Sequence, residues 1–213
     1  MTKPFKNLEA DKQNRIINAA LKEFTEKSFE QASTNQIVKD AGIGKGMLFY
    51  YFNSKKDLYY YLINYCIEIS EREYLDLIDT SERDILKRFE LMSNTKLAFL
   101  TKYPNAINFL GTIFYKHFDQ LDEKLQSRIE ALWESTHAKI YSNLDYSMFR
   151  DDIDHEKAIK LVLWTFQGYE QELTNRLQDQ DMSSINFEPY FDEFIDYLHI
   201  MKTCFYKNEE AHS

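Results

Sequence analysis

Glu134 and His137 stand three residues apart, a spacing that puts a carboxylate and an imidazole on one helix face where both could hold a metal. A two-metal site in a helical bundle needs two such pairs and two further glutamates. Asp152–His155 and Asp196–His199 are imperfect mimics, so solvent-facing carboxylates near a histidine are the simpler reading. Gly42-Ile43-Gly44-Lys45-Gly46 is rich in glycine yet fits no phosphate-binding loop, and no Gly-x-Ser-x-Gly occurs. Two cysteines, Cys66 and Cys204, and five histidines leave no room for a zinc ribbon or a disulfide scaffold. Neither an enzyme nor a metal or cofactor is expected.

The cations are more informative. Residues 1–56 hold ten Lys/Arg against six Asp/Glu, whereas residues 57–213 hold sixteen against twenty-nine. A small basic head on an acidic body points to a polyanion as the partner of the head alone.

Helices must position these groups. The 213 residues include only five Gly and three Pro, against about 12% in an average chain, and sheets need many turns built on them. The fold is therefore expected to be all-α. Ile16, Ile17, Ala20, Leu21 and Phe24 form a one-sided stripe over 11–27. Ser33 with Gln36, and Ser54 with Asp57, read as capping boxes opening helices at Thr34 and near Lys55. Gly42 and Gly44 end the helix that begins at Thr34, and a third short helix runs from Lys45 to Tyr51. Two short helices joined by a glycine turn and braced by a longer one are what a major-groove reader requires. Beyond residue 78 the periodicity predicts long amphipathic helices, including one unbroken helix over 119–144 and others over 155–179 and 189–205. About nine helices are expected in total. No window approaches 18 uninterrupted apolar residues, so a cytoplasmic protein without membrane contact is expected.

Residues 33–63, STNQIVKDAGIGKGMLFYYFNSKKDLYYYLI, resemble the DNA-binding region of the TetR family of bacterial transcriptional regulators. The likeness starts at Ala20, Phe24 and Phe29. It continues through the Ser/Thr pair at 33–34, the alanine–glycine–aliphatic turn at 41–43, Lys45-Gly46, the aromatics at 49–52, Lys55 and Leu58. It implies an N-terminal three-helix head over 1–53 and a helical ligand-binding and dimerisation body over 54–213. By the same resemblance Thr34, Tyr51 and Lys55 match backbone-phosphate contacts. Asn35, Lys45, Gly46, Met47 and Phe49 match positions facing base edges or the groove wall, with Tyr50 beside them. Lysine can donate to guanine O6 and N7, asparagine can pair with adenine, and methionine can pack on a thymine methyl. Three departures stand out: Ser28 where the family often has glycine, Gly44 where serine or threonine is usual, and Phe49 where tyrosine is common.

The resemblance places a small-molecule pocket and a homodimer interface in the body. Tyr61, Tyr65, Phe109, Ile113, Trp133, His137 and Trp164 are the candidate ligand wall, suited to a largely apolar organic molecule. Leu161, Thr165, Gly168, Tyr169, Phe194, Leu198 and Met201, on the last two long helices, are the candidate dimer interface. The expected function is a repressor released from operator DNA by its ligand. The alternative is a helical adaptor whose degenerate head no longer binds DNA and whose exposed aromatics bind a protein.

Overall fold

The computed structural model describes residues 3–113, 117–177, 180 and 184–207. Among them stand ten α-helices: α1 (Lys3–Lys6), α2 (Ala10–Gln31), α3 (Thr34–Asp40), α4 (Lys45–Tyr51), α5 (Lys55–Glu73), α6 (Ile85–Lys102), α7 (Pro104–Thr112), α8 (Glu123–Tyr141), α9 (His155–Leu177) and α10 (Glu188–Phe205). No strand occurs among the described residues; a single antiparallel bridge joins Phe149 and Tyr206. The architecture is all-α, as composition implies.

Two compact units emerge, one of residues 1–72 and 103–130, the other of 73–102 and 131–213. In the first, α2 buries the stripe Ile16, Ile17, Ala20, Leu21 and Phe24 against α3 and α7. The turn after α3 is a complete Schellman motif. Ile43 N–H donates to Val38 O at 3.0 Å and Gly42 N–H to Lys39 O at 3.2 Å, with Gly42 at φ +65°. That left-handed conformation suits glycine alone at no steric cost. Gly44 sits at φ −75° and instead occupies the N-cap of α4, without a side chain to bond there.

Two features of this unit escape local pattern reading. Phe5, on the short α1, is fully buried, with its ring centroid 4.7 Å from Phe52, 5.5 Å from Tyr61 and 5.8 Å from Tyr51. Ser28 lies inside the span of α2 at φ 61°, ψ 169°, where the helix kinks. Ser28 therefore holds a conformation that is essentially glycine's.

The second unit packs α6, α9 and α10 around Phe89, Val162, Phe194 and Leu198. Asp84 opens α6, accepting from Leu86 N–H at 2.9 Å, and Asp154 opens α9, accepting from Lys157 N–H at 3.1 Å. The helix expected over 119–144 is shorter than that. Residues Phe118–Gln120 form a 3-10 turn, and Asp122 then caps α8 by accepting from Leu125 N–H at 3.0 Å, a stop and restart that periodicity alone cannot show. At the other end of α8, the buried Arg88 gathers carbonyls. Its guanidinium donates to Lys139 O at 3.0 Å, Ile140 O at 2.8 Å and Ser142 O at 2.7 Å. It also donates to Glu82 O at 2.8 Å and Thr80 O at 3.3 Å. The positive guanidinium thus satisfies the free carbonyls and the negative dipole end of a helix.

Candidate nucleic-acid interface

The head is assembled by polar contacts at its two helix starts. Ser33 Oγ accepts from Gln36 N–H at 3.4 Å, as a cap should. The reciprocal half of the expected capping box is absent. The Gln36 side chain instead donates to Asp40 Oδ1 at 2.8 Å, and Glu23 on α2 accepts from Ser33 N–H at 2.7 Å. Glu23 is buried, so its carboxylate ties α2 to the positive end of α3. Its partner lies ten residues away, which is why no spacing rule finds it. At α5, Asp57 N–H donates to Ser54 Oγ at 3.0 Å.

The helix α4 divides into two faces. Leu48 and Tyr51 are buried, as is Phe52 just beyond. Lys45, Gly46, Met47, Phe49 and Tyr50 are exposed. Exposure reaches 58% at Tyr50, 39% at Met47 and 37% at Phe49, high values for large apolar side chains. Asn35 is exposed and Thr34 half-buried on α3. Of the nine positions singled out from the sequence, six therefore present side chain or backbone to solvent. Tyr51 packs its ring against Phe5 and is only 2% exposed. Lys55 is half-buried: its Nζ donates to Glu30 O at 3.1 Å and lies 5.1 Å from the Phe29 ring centroid. One of its three donors is thereby used, leaving the others for a further acceptor.

Behind this surface lies an aromatic cluster. Tyr59 meets Phe24, Phe29 and Phe109, and burial with Glu30 nearby pushes its hydroxyl well above the ordinary tyrosine range. Tyr61 stacks near Phe52 and Tyr65, and burial beside Tyr65 and Glu68 raises its pKa to about 12. Both effects disfavour the phenolate in an apolar setting.

The remaining candidate positions scatter. Phe109 and Ile113 are buried, and Tyr61 and Tyr65 half-buried, in the first unit. In the second unit Trp133 and Trp164 are 52% and 63% exposed, and His137 is exposed with its ring 4.3 Å from Tyr141. Among the described residues no three His, Cys, Asp or Glu side chains gather as metal ligands. Tyr169, Phe194, Leu198 and Met201 are buried in the core that their own chain makes. Leu161, Thr165 and Gly168 are exposed on α9. Trp164 shares their face at helical spacing, and Ile200 on α10 is 59% exposed. Sequence reasoning missed Ile200, although its spacing from Tyr197 was visible. Among the described residues no helix is long and apolar enough to cross a membrane.

Residues 16–62 match the sequence profile described as bacterial regulatory proteins, tetR family. An HTH-type transcriptional regulator of Staphylococcus aureus strain USA300 is 26% identical over 155 residues, covering 68% of this chain and 84% of that protein. Among solved structures, a TetR family transcriptional regulator from Chloroflexus aurantiacus superposes with a TM-score of 0.62 at 22% identity, over 97% of this chain and 99% of its own. The structure of AibR in complex with isovaleryl coenzyme A and operator DNA gives 0.60 at 14% identity, over 87% and 97%.

Proposed function

Through residues 16–62 this chain belongs to the bacterial regulatory proteins of the tetR family, and we propose that it acts as a homodimeric repressor released from its operator by a small, largely apolar organic ligand. It is a DNA-binding transcriptional regulator. The observation that carries the proposal is α4: seven residues long, it turns Lys45, Met47, Phe49 and Tyr50 outward and anchors itself through Leu48 and Tyr51. Lysine, methionine and aromatic tips match guanine edges, thymine methyls and the groove wall. Residues 1–53 then serve as the DNA-binding domain and 54–213 as the ligand-binding and dimerisation domain. An unbiased selection from random duplexes should recover a twofold-related operator. Lys45→Ala should shift base preference at one position in each half-site, while Lys55→Ala should weaken all duplexes alike. Recovery of no preferred sequence would favour an adaptor.

The dimer rests on the outward face of α9 and α10. Leu161, Trp164 and Ile200 are large apolar side chains exposed by 46%, 63% and 59%, and exposed apolar side chains are what an interface would cover. Gly168 lies on that face, and a Cβ there would meet nothing within 4 Å of its own chain. A helical glycine costs about 1 kcal/mol relative to alanine, which close approach of a second copy would explain. Sedimentation should give about 51 kDa, twice the 25.5 kDa of one chain. Trp164→Glu with Ile200→Glu should return it to one chain, and a dimer that persists would sink this arrangement.

Ligand release follows from linkage. Two half-sites on one face of B-DNA lie about 34–36 Å apart, so a ligand that favours another head spacing lowers affinity. Such coupling is typically worth about 1–3 kcal/mol and acts equally on ligand affinity when operator is bound. AibR, which was solved with both isovaleryl coenzyme A and operator DNA, supports a body that takes an organic molecule.

A further inference from the structure

The helix α4 is seven residues long, too short to hold its shape or its aim in water by its own hydrogen bonds. Its N-cap, Gly44, makes no side-chain bond, so its direction rests on what its buried side chains touch. Those are Leu48 and Tyr51, followed by Phe52 at the C-cap. Tyr51 and Phe52 both meet Phe5 of α1, their ring centroids 5.8 Å and 4.7 Å from its own. Tyr61 closes the cluster from α5, 5.5 Å from Phe5 and 5.2 Å from Phe52. All three pairs made by Phe5 are tilted or edge-on, the favourable arrangement for aromatic rings. The four-residue α1 cannot stand alone either, and it is moored to α2. Gln13 Nε2 donates to Leu8 O at 2.7 Å and to Lys6 O at 3.2 Å, and Leu8 N–H donates to Phe5 O at 3.2 Å. Phe5 is thus a fixed point beneath a helix that has few of its own.

We propose that Phe5 is a positioning residue for operator reading: fully buried, it sets the tilt of α4, and with it the aim of Lys45, Met47 and Phe49, without touching DNA. A binding constellation works only when held within about 0.5 Å and 10–20° of its productive geometry, and loss of a ring beneath a seven-residue helix exceeds that tolerance. The candidate phosphate contacts stand on other supports. Thr34 lies on α3, whose start is tied to α2 by the Glu23 carboxylate accepting from Ser33 N–H at 2.7 Å. Lys55 is held by Glu30 O and the Phe29 ring. A chain without the Phe5 ring therefore still grips a duplex but reads it poorly, because phosphate contacts carry no sequence information. This role rests on α4 being the reading helix.

Gel-shift affinities of the full chain for the duplex recovered by selection, and for a scrambled duplex of equal length, test this. Phe5→Ala opens a cavity beneath α4. It should weaken the selected duplex roughly tenfold, the worth of one good base contact, and the scrambled duplex by no more than about twofold. Hydrogen exchange should quicken at the Phe52 amide, which donates to Leu48 O at 2.9 Å, but not at the Ile37 amide, which donates to Ser33 O at 3.0 Å. Phe5→Leu, which refills most of the space, should lose about threefold on the selected duplex alone, and it decides the matter if Phe5→Ala does not fold. Equal losses on both duplexes, or opening of α3 together with α4, would reduce Phe5 to general support of the fold and overturn the proposal. Undiminished preference in a folded Phe5→Ala variant would overturn it too. Lys45→Ala measured alongside separates the two readings. If it changes base preference while Phe5→Ala does not, α4 reads DNA and the positioning role fails. If it leaves base preference untouched, α4 is not the reading helix and both fail.

Discussion

Replacing Ser28 by glycine should stabilise the head. At φ 61°, ψ 169° a residue with a Cβ is strained by about 1–3 kcal/mol, because only glycine populates that region freely. Glycine enlarges the unfolded ensemble in return, which costs about 0.4–1 kcal/mol. The one side-chain bond lost, from Ser28 Oγ to Glu30 Oε2 at 3.3 Å, is solvent-exposed and worth little. The net gain is about 1 kcal/mol, or roughly 2–4 °C in a chain of this length. Urea unfolding of Ser28→Gly and Ser28→Ala separates the causes, since both lose the hydroxyl and only glycine loses the Cβ. Ser28→Gly should exceed Ser28→Ala in stability by about 1–2 kcal/mol, with operator affinity unchanged within twofold. Equal shifts in both variants would trace the effect to the hydroxyl, and a less stable glycine variant would refute the backbone reasoning altogether.

Gly44→Ser should supply the cap that α4 lacks and add a few tenths of a kcal/mol; operator affinity in gel shifts should rise without a change of base preference, and a changed preference would mean residue 44 reads bases. Arg88→Met should cost at least about 3 kcal/mol in urea unfolding, because several buried carbonyls lose their donor, and Arg88→Lys should not restore it, since one ammonium cannot replace the guanidinium fork. Stability should fall as pH rises from 10 toward 12. In that window the unfolded chain has released tyrosine protons that the native state retains at Tyr61, whose pKa is raised to about 12, and at Tyr59 and Tyr206, which lie higher. Absorbance at 295 nm followed alongside circular dichroism checks this, and a folded chain in which all fifteen tyrosines ionise together near pH 10 would contradict it.

Much of the head is legible in the sequence because its determinants are local. Ser33 and Ser54 precede the helices they cap, and Gly42 stands where α3 must stop. Phe5, Glu23 and Arg88 are not legible in this way. A phenylalanine two residues from a lysine, or a glutamate in an amphipathic helix, declares no partner until the chain brings one from ten or fifty residues away. The last two helices illustrate a different limit. Periodicity revealed that α9 and α10 have apolar arcs wide enough for two neighbours, yet it cannot tell which half of an arc turns inward. Phe194 and Leu198 fill the chain's own core, while Trp164 and Ile200 lie outside it. Aromatic identity was equally silent about burial, since Phe109 and Trp133 read alike in sequence and end in opposite environments.

The carbonyl nest around Arg88 has an experimental consequence. Its acceptors are all main-chain oxygens, which neither take up protons in ordinary buffers nor exchange partners with dissolved ions as exposed carboxylates do. Burial shields the guanidinium itself from the counterion atmosphere. Changing ionic strength should therefore leave the seam between the 80–82 turn and the end of α8 unaltered. Counting phosphate contacts demands affinity measured over a wide range of salt, and this join lets the reader attribute the slope to the DNA surface rather than to a body that loosens as the buffer changes.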